Sequence, residues 1–578
     1  MNSKSSSIFL SLFFIALVFA SALSGWEMSV EQWGYWYFAR VLKETGLFVI
    51  ADRSPVYTIY LNLFSWIGYP HSVELEYMVT TLIGVFSFYT FLKPFIGRIA
   101  VTIFLVLWIP VLQLGEPSVQ LLSLSCVLLA AHLRISKKFQ HVTLLTYFLF
   151  YLAGMLRLPN FVYMAVFFTY DMNQYALLNL NKLKEFFSNY TTKSLTLSLR
   201  RNITSIFVVF FAISLSAVVF IRQSPLPLNN AFFADTRWFP VTGKSLSEAS
   251  IIQYINWQHI SKIPRKPGVL PIEDWFFTNK DIFPNASGLK QSFLANPQIF
   301  IQHYMQNITK LVPTIISGTV LRKIPYLLTY VIFALFIIGL IKYLQRTKDV
   351  NLYIYTLATC LLILIIGLTN YELRYMLPVM PLVPFSASGL LLLGNGQIRY
   401  KSFLLPLLLL ISSNFILWKN FISAVTNSNS TNPLKILTYR GTSGKKTIGN
   451  NNYNSLRAAY PDLLGNIKHC KNGVLTLEAT FVGAFLPFPI SKTYGVYALP
   501  PFSTSENSNL NKYYDLLLAT QKIDCIFLSN DLKMHFGWAT NTRPRYLFHV
   551  KPYIEYLLAN GWNIKPISGY GWVIIPSD

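Results

Sequence analysis

The residues with the types and spacing to do chemistry are carboxylates and arginines set beside long apolar runs. The first set reads Trp26-Glu-Met-Ser-Val-Glu31-Gln-Trp-Gly-Tyr-Trp-Tyr-Phe-Ala-Arg40, then Lys43-Glu-Thr-Gly46 and Asp52-Arg53-Ser-Pro-Val-Tyr57. Trp33, Trp36, Tyr37 and Arg40 recur at helical spacing, which predicts a helix lying in a membrane interface with an aromatic face. Glu31 stands at its start, where a carboxylate is partly desolvated. That raises its basicity and suits a general base acting on a hydroxyl or amine. The alternative is an acid that only complements the helix dipole. Glu27, one turn earlier, is the rival base. Glu116, Arg157, Glu372 and Arg374 fall at the ends of other apolar runs, where ionisable side chains are expensive and often functional. Their alternative reading is structural: a snorkelling or ion-paired arginine, with Glu372 neutralising Arg374.

The elements that must hold these residues are membrane spans. The chain has 578 residues, 53% hydrophobic and only 12% charged, about half the charge of an ordinary soluble domain at roughly 25%. That excludes a wholly soluble or disordered protein. Apolar runs lie near 8–23, 77–95, 99–114, 117–133, 142–156, 160–170, 203–221, 324–344, 351–369, 375–394 and 403–421, giving about eleven spans near the ~20 residues a bilayer core requires. The first run is read as a retained helix, with Ala20-Ser21-Ala22 leaving open a cleaved signal peptide. Threaded alternately, the inner pieces are the N-terminus, 93–98, 134–141, 171–202, 342–350 and 395–402. They hold sixteen bases and three acids, as the positive-inside bias demands. The formal net charge of +24 is therefore mainly topology, and no nucleic-acid partner is expected.

Three pieces then face outward: loops 25–76 and 222–323, and a tail from about 423. The tail begins with the polar linker Thr426-Asn-Ser-Asn-Ser-Thr-Asn432. Gly473–Glu478 and Ile523–Leu528 read as short buried strands, and Tyr513–Thr520 and Pro552–Asn560 as helices. The expected architecture is thus an all-α polytopic membrane domain over 1–422, with a C-terminal extracytoplasmic α/β domain over 423–578. Cys470 and Cys525 would pair there in an oxidising compartment or remain two buried thiols. Asn-x-Ser/Thr triplets occur at Asn285, Asn307 and Asn429.

The order acid, aromatic stretch, Ala39-Arg40, Gly46, then Arg53-Ser-Pro55-Val-Tyr57 resembles the first extracytoplasmic loop of the GT-C glycosyltransferases. Within them it resembles the protein O-mannosyltransferase, aminoarabinose-to-lipid-A transferase and Rgt-like branch. Those enzymes read Asp-Glu, a short intervening stretch, Ala-Arg, and later Arg-Pro-Pro-Leu-Tyr. Counting back from Ala39-Arg40 aligns Glu31 with the family's Asp and Gln32 with its Glu. The second acid has become an amide, so the resemblance carries over no role that needs two adjacent acids, metal binding included. Three weaker matches follow in order: Gly115-Glu116-Pro117; Gly154-Met-Leu-Arg157-Leu-Pro159; and Tyr371-Glu-Leu-Arg374-Tyr375-Met-Leu-Pro378. Asn296-Pro297 stands where relatives often have Asn-Pro before the return to the membrane. The likeness spans roughly 8–420, and the tail matches no family.

The resemblance implies a multi-pass enzyme, expected in a bacterial plasma membrane, with its C-terminal domain outside. It would move a hexosyl or pentosyl group from a polyprenyl-phosphate donor to a glycan, lipid or protein acceptor. Glu31 would be the catalytic base, with Glu27 and Glu116 as secondary candidates. Arg157 and Arg374 would hold the phosphate of the departing lipid, and Arg53, Tyr57 and Tyr375 would line the substrate site. No cofactor is required and no metal ligand is named, although a divalent metal stays open. Other classes remain: a transporter or flippase of polyprenyl-linked substrates, for which internal repeats are missing, and a non-catalytic cell-wall-binding protein. The chain has no HExxH, Walker loop, GxGxxG or GxSxG.

Overall fold

The computed structural model describes residues 30–46, 48–49, 54–98, 100–102, 104–105, 118–135, 143–186, 223–224, 289–319, 326–368, 373–391, 453–476, 484–489, 493–495, 523–529, 557–567 and 571–577. The protein is mostly helical, with a small sheet near its C-terminus. The helices are α1 Val30–Thr45, α2 Pro55–Asn62, α3 His71–Ile96, α4 Ser118–Ile135, α5 Thr143–Leu156, α6 Phe161–Phe186, α7 Leu289–Ala295, α8 Pro297–Thr319, α9 Tyr326–Thr347, α10 Val350–Ile366, α11 Leu382–Leu391 and α12 Tyr453–Ile467. Two 3-10 turns, Leu158–Asn160 and Leu373–Val379, join α5 to α6 and lead into α11.

Among the described residues, two helical stretches are long and apolar enough to cross a membrane, His71–Ile96 and Leu328–Thr347. Four more are apolar but shorter. The expected spans at 8–23, 203–221 and 403–421 lie outside the described residues. Three boundaries differ from the apolar runs. The run at 77–95 begins in fact at His71, because Glu74 and Glu76 interrupt hydropathy without interrupting the helix. The helix expected over 160–170 continues to Phe186, into a stretch read as an inner loop. The run at 375–394 is broken into the 3-10 turn and α11, since Pro378 and Pro381 remove backbone donors that an α-helix needs.

A large apolar core joins α3, α4, α5, α6, α9, α10 and α11 through side chains such as Phe91, Phe150, Phe167, Tyr355 and Phe385. Where α9 crosses α11, Gly389 and Gly339 let the backbones touch: a Cβ on Gly389 would strike the Gly339 carbonyl, and one on Gly339 the Ser386 carbonyl. Small residues at such crossings allow close helix approach in bilayers. One end of the bundle is laced by polar groups. The Arg134 guanidinium donates to both Asp171 oxygens, at 2.5 Å to Oδ2, and Tyr147 donates to the same oxygen at 2.5 Å. Arg134 Nε also donates to Asn351 at 3.3 Å. The four residues come from α4, α5, α6 and α10, all at ends that alternate threading assigns to the inside.

The C-terminal sheet has the order β4-β3-β5-β7-β6, with β3 Val474–Thr476, β4 Thr493–Gly495, β5 Cys525–Ser529, β6 Trp562–Ile567 and β7 Gly571–Pro576. The first three are parallel, and β7 and β6 are antiparallel additions. Cys470 and Cys525 form a disulfide, which settles the two sequence readings in favour of pairing. Beside it, the Asp524 carboxylate accepts from the main-chain N–H groups of Lys471, Asn472 and Gly473 at 2.8, 3.0 and 3.1 Å. A further parallel pair, β1 Phe48–Val49 with β2 Gln223–Ser224, links the chain just after α1 to a segment 175 residues further on.

Candidate active site

The end of the bundle away from Arg134 gathers the motif-bearing segments. Ser54 caps α2 by accepting from Tyr57 N at 3.1 Å, and its Oγ donates to the Met155 carbonyl at 2.6 Å. That one hydroxyl ties Arg53-Ser-Pro-Val-Tyr57 to Gly154–Pro159. Position 53 immediately precedes the bond on one strand of chain, and Arg157 follows two residues after it on the other.

Arg157 itself is extended, with φ −147° and ψ 106°, and caps the 3-10 turn Leu158–Asn160. Its side chain is half-buried. Pro159 disfavours continuation of α5, so the helix stops where the arginine is displayed. Gly154 makes the reversal possible, because a Cβ there would run into the Phe161 ring that packs back on α5. Asn160 fixes the turn from the other side: its Nδ2 donates to Ser123 Oγ at 2.6 Å, and Ser123 donates to the Ala153 carbonyl at 2.7 Å. The Gly-x-x-Arg-x-Pro-Asn stretch is thus held by α4, whose start follows Gly115-Glu116-Pro117 directly.

The helix that carries Glu31 joins the same cluster. Glu31 is the second residue of α1, one turn before Tyr35, and the Tyr35 ring meets Tyr57 edge-on at 4.9 Å between centroids. Tyr57 is fully buried, and its hydroxyl donates to Glu76 on α3 at 3.0 Å. Thr80 donates to the same carboxylate oxygen at 2.9 Å, and Tyr60 shares a 2.8 Å bond with Thr80. Burial, together with the nearby Glu76 charge, pushes the Tyr60 phenol above its usual range, so it stays protonated at any physiological pH. Glu76 is itself wholly buried. Sequence reading passed over it because it stands just before the apolar run. The signal was there: two acids, Glu74 and Glu76, in one turn at the mouth of a span.

The aromatic face of α1 departs from expectation. Tyr35, Trp36, Tyr37, Phe38 and Ala39 are all buried in protein and do not form an interfacial stripe. Trp36 packs on Phe485, and Tyr69 on both Phe485 and Tyr460. Arg40 donates to the carbonyl of Leu486, to that of Phe488 at 2.9 Å, and to Glu44 at 2.7 Å. Apolar side chains of α1, α2 and α3 share one core with α12 and strands β3 and β5. The tail therefore docks on the helix that carries the candidate base. Burial raises the Tyr37 phenol, with Arg40 pulling it down and Glu44 pushing it up.

The last motif segment, Leu373–Val379, follows α10. The carbonyls just past the end of α10 are met by α8: His303 Nε2 donates to Leu368 at 3.1 Å, and Asn307 Nδ2 donates to Gly367 at 2.9 Å. Tyr355 holds the Pro378 carbonyl at 3.1 Å. Arg374 and Tyr375 lie in this 3-10 turn, which packs against α8, α4 and α10. Asn307 is buried and spent on this contact, so its Asn-x-Thr triplet is part of the fold. Glu27, Arg53, Glu116 and Glu372, and the side chains of Glu31, Arg374 and Tyr375, lie outside the described residues. Among the described residues, no three His, Cys, Asp or Glu side chains converge in a set that could hold a metal ion.

No protein-family model and no curated protein matches the chain. Among solved structures it is similar to the archaeal oligosaccharyltransferase AglB from Archaeoglobus fulgidus in complex with an inhibitory peptide and a dolichol-phosphate. The identity is 12% and the TM-score 0.39, over 99% of this chain and 74% of that chain. A likeness at that score assigns neither fold nor chemistry, which rest on the residues themselves.

Proposed function

We propose that the chain is a multi-pass membrane glycosyltransferase that moves a hexosyl or pentosyl group from a polyprenyl-phosphate donor to an acceptor on the outer face of a bacterial plasma membrane. The observation that carries this reading is the Ser54–Met155 hydrogen bond. It ties Ser54, which follows Arg53 in sequence, to Met155, two residues before Arg157, and so supports a site for a lipid phosphate there. A membrane setting is supported by the two apolar helices of spanning length. It is also supported by the unburied apolar residues along α9 and α10, Leu335, Ile338, Ile341, Leu357, Leu361 and Leu364. The Cys470–Cys525 disulfide supports an outward, oxidising location for the tail. In this reading residues 1–422 form the catalytic unit and 423–578 its outer cover.

In the reaction, Glu31 takes the proton of the acceptor hydroxyl or amine as that atom attacks the anomeric carbon. The bond from this carbon to the phosphate oxygen breaks, and polyprenyl phosphate departs with the electron pair. Arg157 and Arg374 hold the charge that develops on it, and a single displacement inverts the anomeric centre. Arg53 and Tyr375 are assigned to substrate binding, and Glu116 is kept as a secondary catalytic candidate. The test compares Glu31→Gln with Glu27→Gln in purified enzyme. Loss of transfer by about two to four orders of magnitude is expected for the first alone, the range of a general base. Near wild-type transfer by Glu31→Gln, with loss in Glu27→Gln, overturns the assignment. Lipid-linked sugars that accumulate in cells lacking the protein identify the donor.

A further inference from the structure

Glu76 is a fully buried carboxylate that the proposed reaction does not use. One of its oxygens receives two hydroxyls, from Tyr57 at 3.0 Å and Thr80 at 2.9 Å. Thr80 lies one turn along the same helix, so its bond is local. The Tyr57 bond is different, because it reaches from α3 to α2 and fixes the second residue of α2 after Pro55. Four points then locate the N-terminus of α2. Tyr57 is held by Glu76, its ring is held by Tyr35, Ser54 caps the helix at Tyr57 N, and the same Ser54 grips Met155. The chain between Tyr57 and Ser54 spans a single turn. A buried carboxylate at this place costs stability unless its bonds do something. An apolar residue would pack α3 on α2 equally well, but it would not set the rotation of α2.

We infer that Glu76 is a positioning residue of the donor-phosphate site: through Tyr57 it fixes the start of α2, and with it the Ser54 contact that holds α2 against Met155 and the Arg157 turn. The inference rests on the glycosyltransferase reading and adds to it a residue that touches neither donor nor acceptor.

The experiment measures binding of heptaprenyl phosphate and of uncharged heptaprenol to the full-length protein in nanodiscs, by quenching of tryptophan fluorescence. Wild type is expected to prefer the phosphate. Tyr57→Phe and Glu76→Ala are each expected to weaken heptaprenyl phosphate binding about tenfold, the scale of one buried hydrogen bond, while heptaprenol binding stays the same. Glu76→Gln keeps the accepting oxygen and restores most of the affinity. The double variant Tyr57→Phe/Glu76→Ala is no worse than either single one, since both remove the same bond. Tyr57→Phe deletes one oxygen, so it serves if Glu76→Ala does not fold. The inference is overturned if folded Tyr57→Phe binds heptaprenyl phosphate as wild type does. It is equally overturned if both probes weaken together, which marks a general structural role. A wild type that binds both probes alike instead removes the donor-phosphate reading itself, and the inference with it.

Discussion

Arg40→Ala tests whether the tail is docked on the candidate catalytic helix by directed bonds or by apolar contact alone. The Arg40 guanidinium, with 18% of its side chain exposed, donates to the carbonyls of Leu486 and Phe488. Hydrogen bonds from a charged group contribute about 1.5–3 kcal/mol each when buried. Two partly screened ones therefore give about 2–4 kcal/mol for the pair. The Arg40–Glu44 ion pair adds at most about 0.5 kcal/mol, as a helix-surface pair with a half-exposed acid does. Removing the side chain raises the population of undocked tail by roughly 30- to 1000-fold, at about 1.4 kcal/mol per factor of ten. Arg40→Lys keeps a charge but not the fork, so it reaches one carbonyl at a time and lies between the two. Hydrogen exchange on the full-length protein in nanodiscs reads this directly at residues 484–489 and at Tyr35–Val41. Both segments are expected to exchange faster in Arg40→Ala, with the helices around Phe150 and Phe167 unchanged. Protection equal to wild type in both segments would refute the reasoning and leave the shared apolar core as the whole of the attachment.

Other perturbations have equally definite outcomes. Cys525→Ser opens a cross-link across 55 residues, worth up to about 4 kcal/mol by loop-closure entropy. The tail should melt earlier than wild type, and the same shift should appear on adding reductant; a tail that melts unchanged speaks against the bond. Gly389→Ala drives a methyl into the backbone of α9 and should cost about 1–3 kcal/mol of thermal stability in detergent. Gly84→Ala meets only the movable end of Leu121 and should cost less, an ordering that the two melting curves check. Asn307 should be found unmodified by peptide mass spectrometry even in a host that glycosylates Asn-x-Thr, since its amide is buried against Gly367.

Much of the helical framework was legible because apolar runs long enough to be buried on several sides are unambiguous: 118–135, 143–156, 326–347 and 350–366 stand where hydropathy puts them. Boundaries were less legible where a charged or proline residue sits inside an element, as with Glu76 at the start of α3 or Pro378 in the broken segment after α10. Strands β3 and β5 showed as short apolar runs. Strands β6 and β7 did not, because Lys565, Pro566 and an outward-facing register dilute their pattern, and they earn their place by pairing along their whole length. The motif segments of the candidate site were visible one by one. Their convergence was not, since it depends on small polar residues, Ser54, Ser123 and Asn160, whose partners are carbonyls and hydroxyls that no spacing announces. Arg40 shows the same limit. Its place beside Ala39 was plain, but its partners lie in a part of the chain that no local pattern connects to it.

The partner of Arg40 lies 446 residues further along the chain. At about 5–20 residues per second of synthesis, roughly 20 to 90 s separate the emergence of α1 from that of residues 484–489, which cover it. Throughout that interval Trp36 and Tyr69 have no Phe485 to rest on, and the face of α1 that the tail covers has no roof. A nascent protein is therefore open where the mature one is closed, and ribosomes that abandon the message early release a bundle whose α1 is bare.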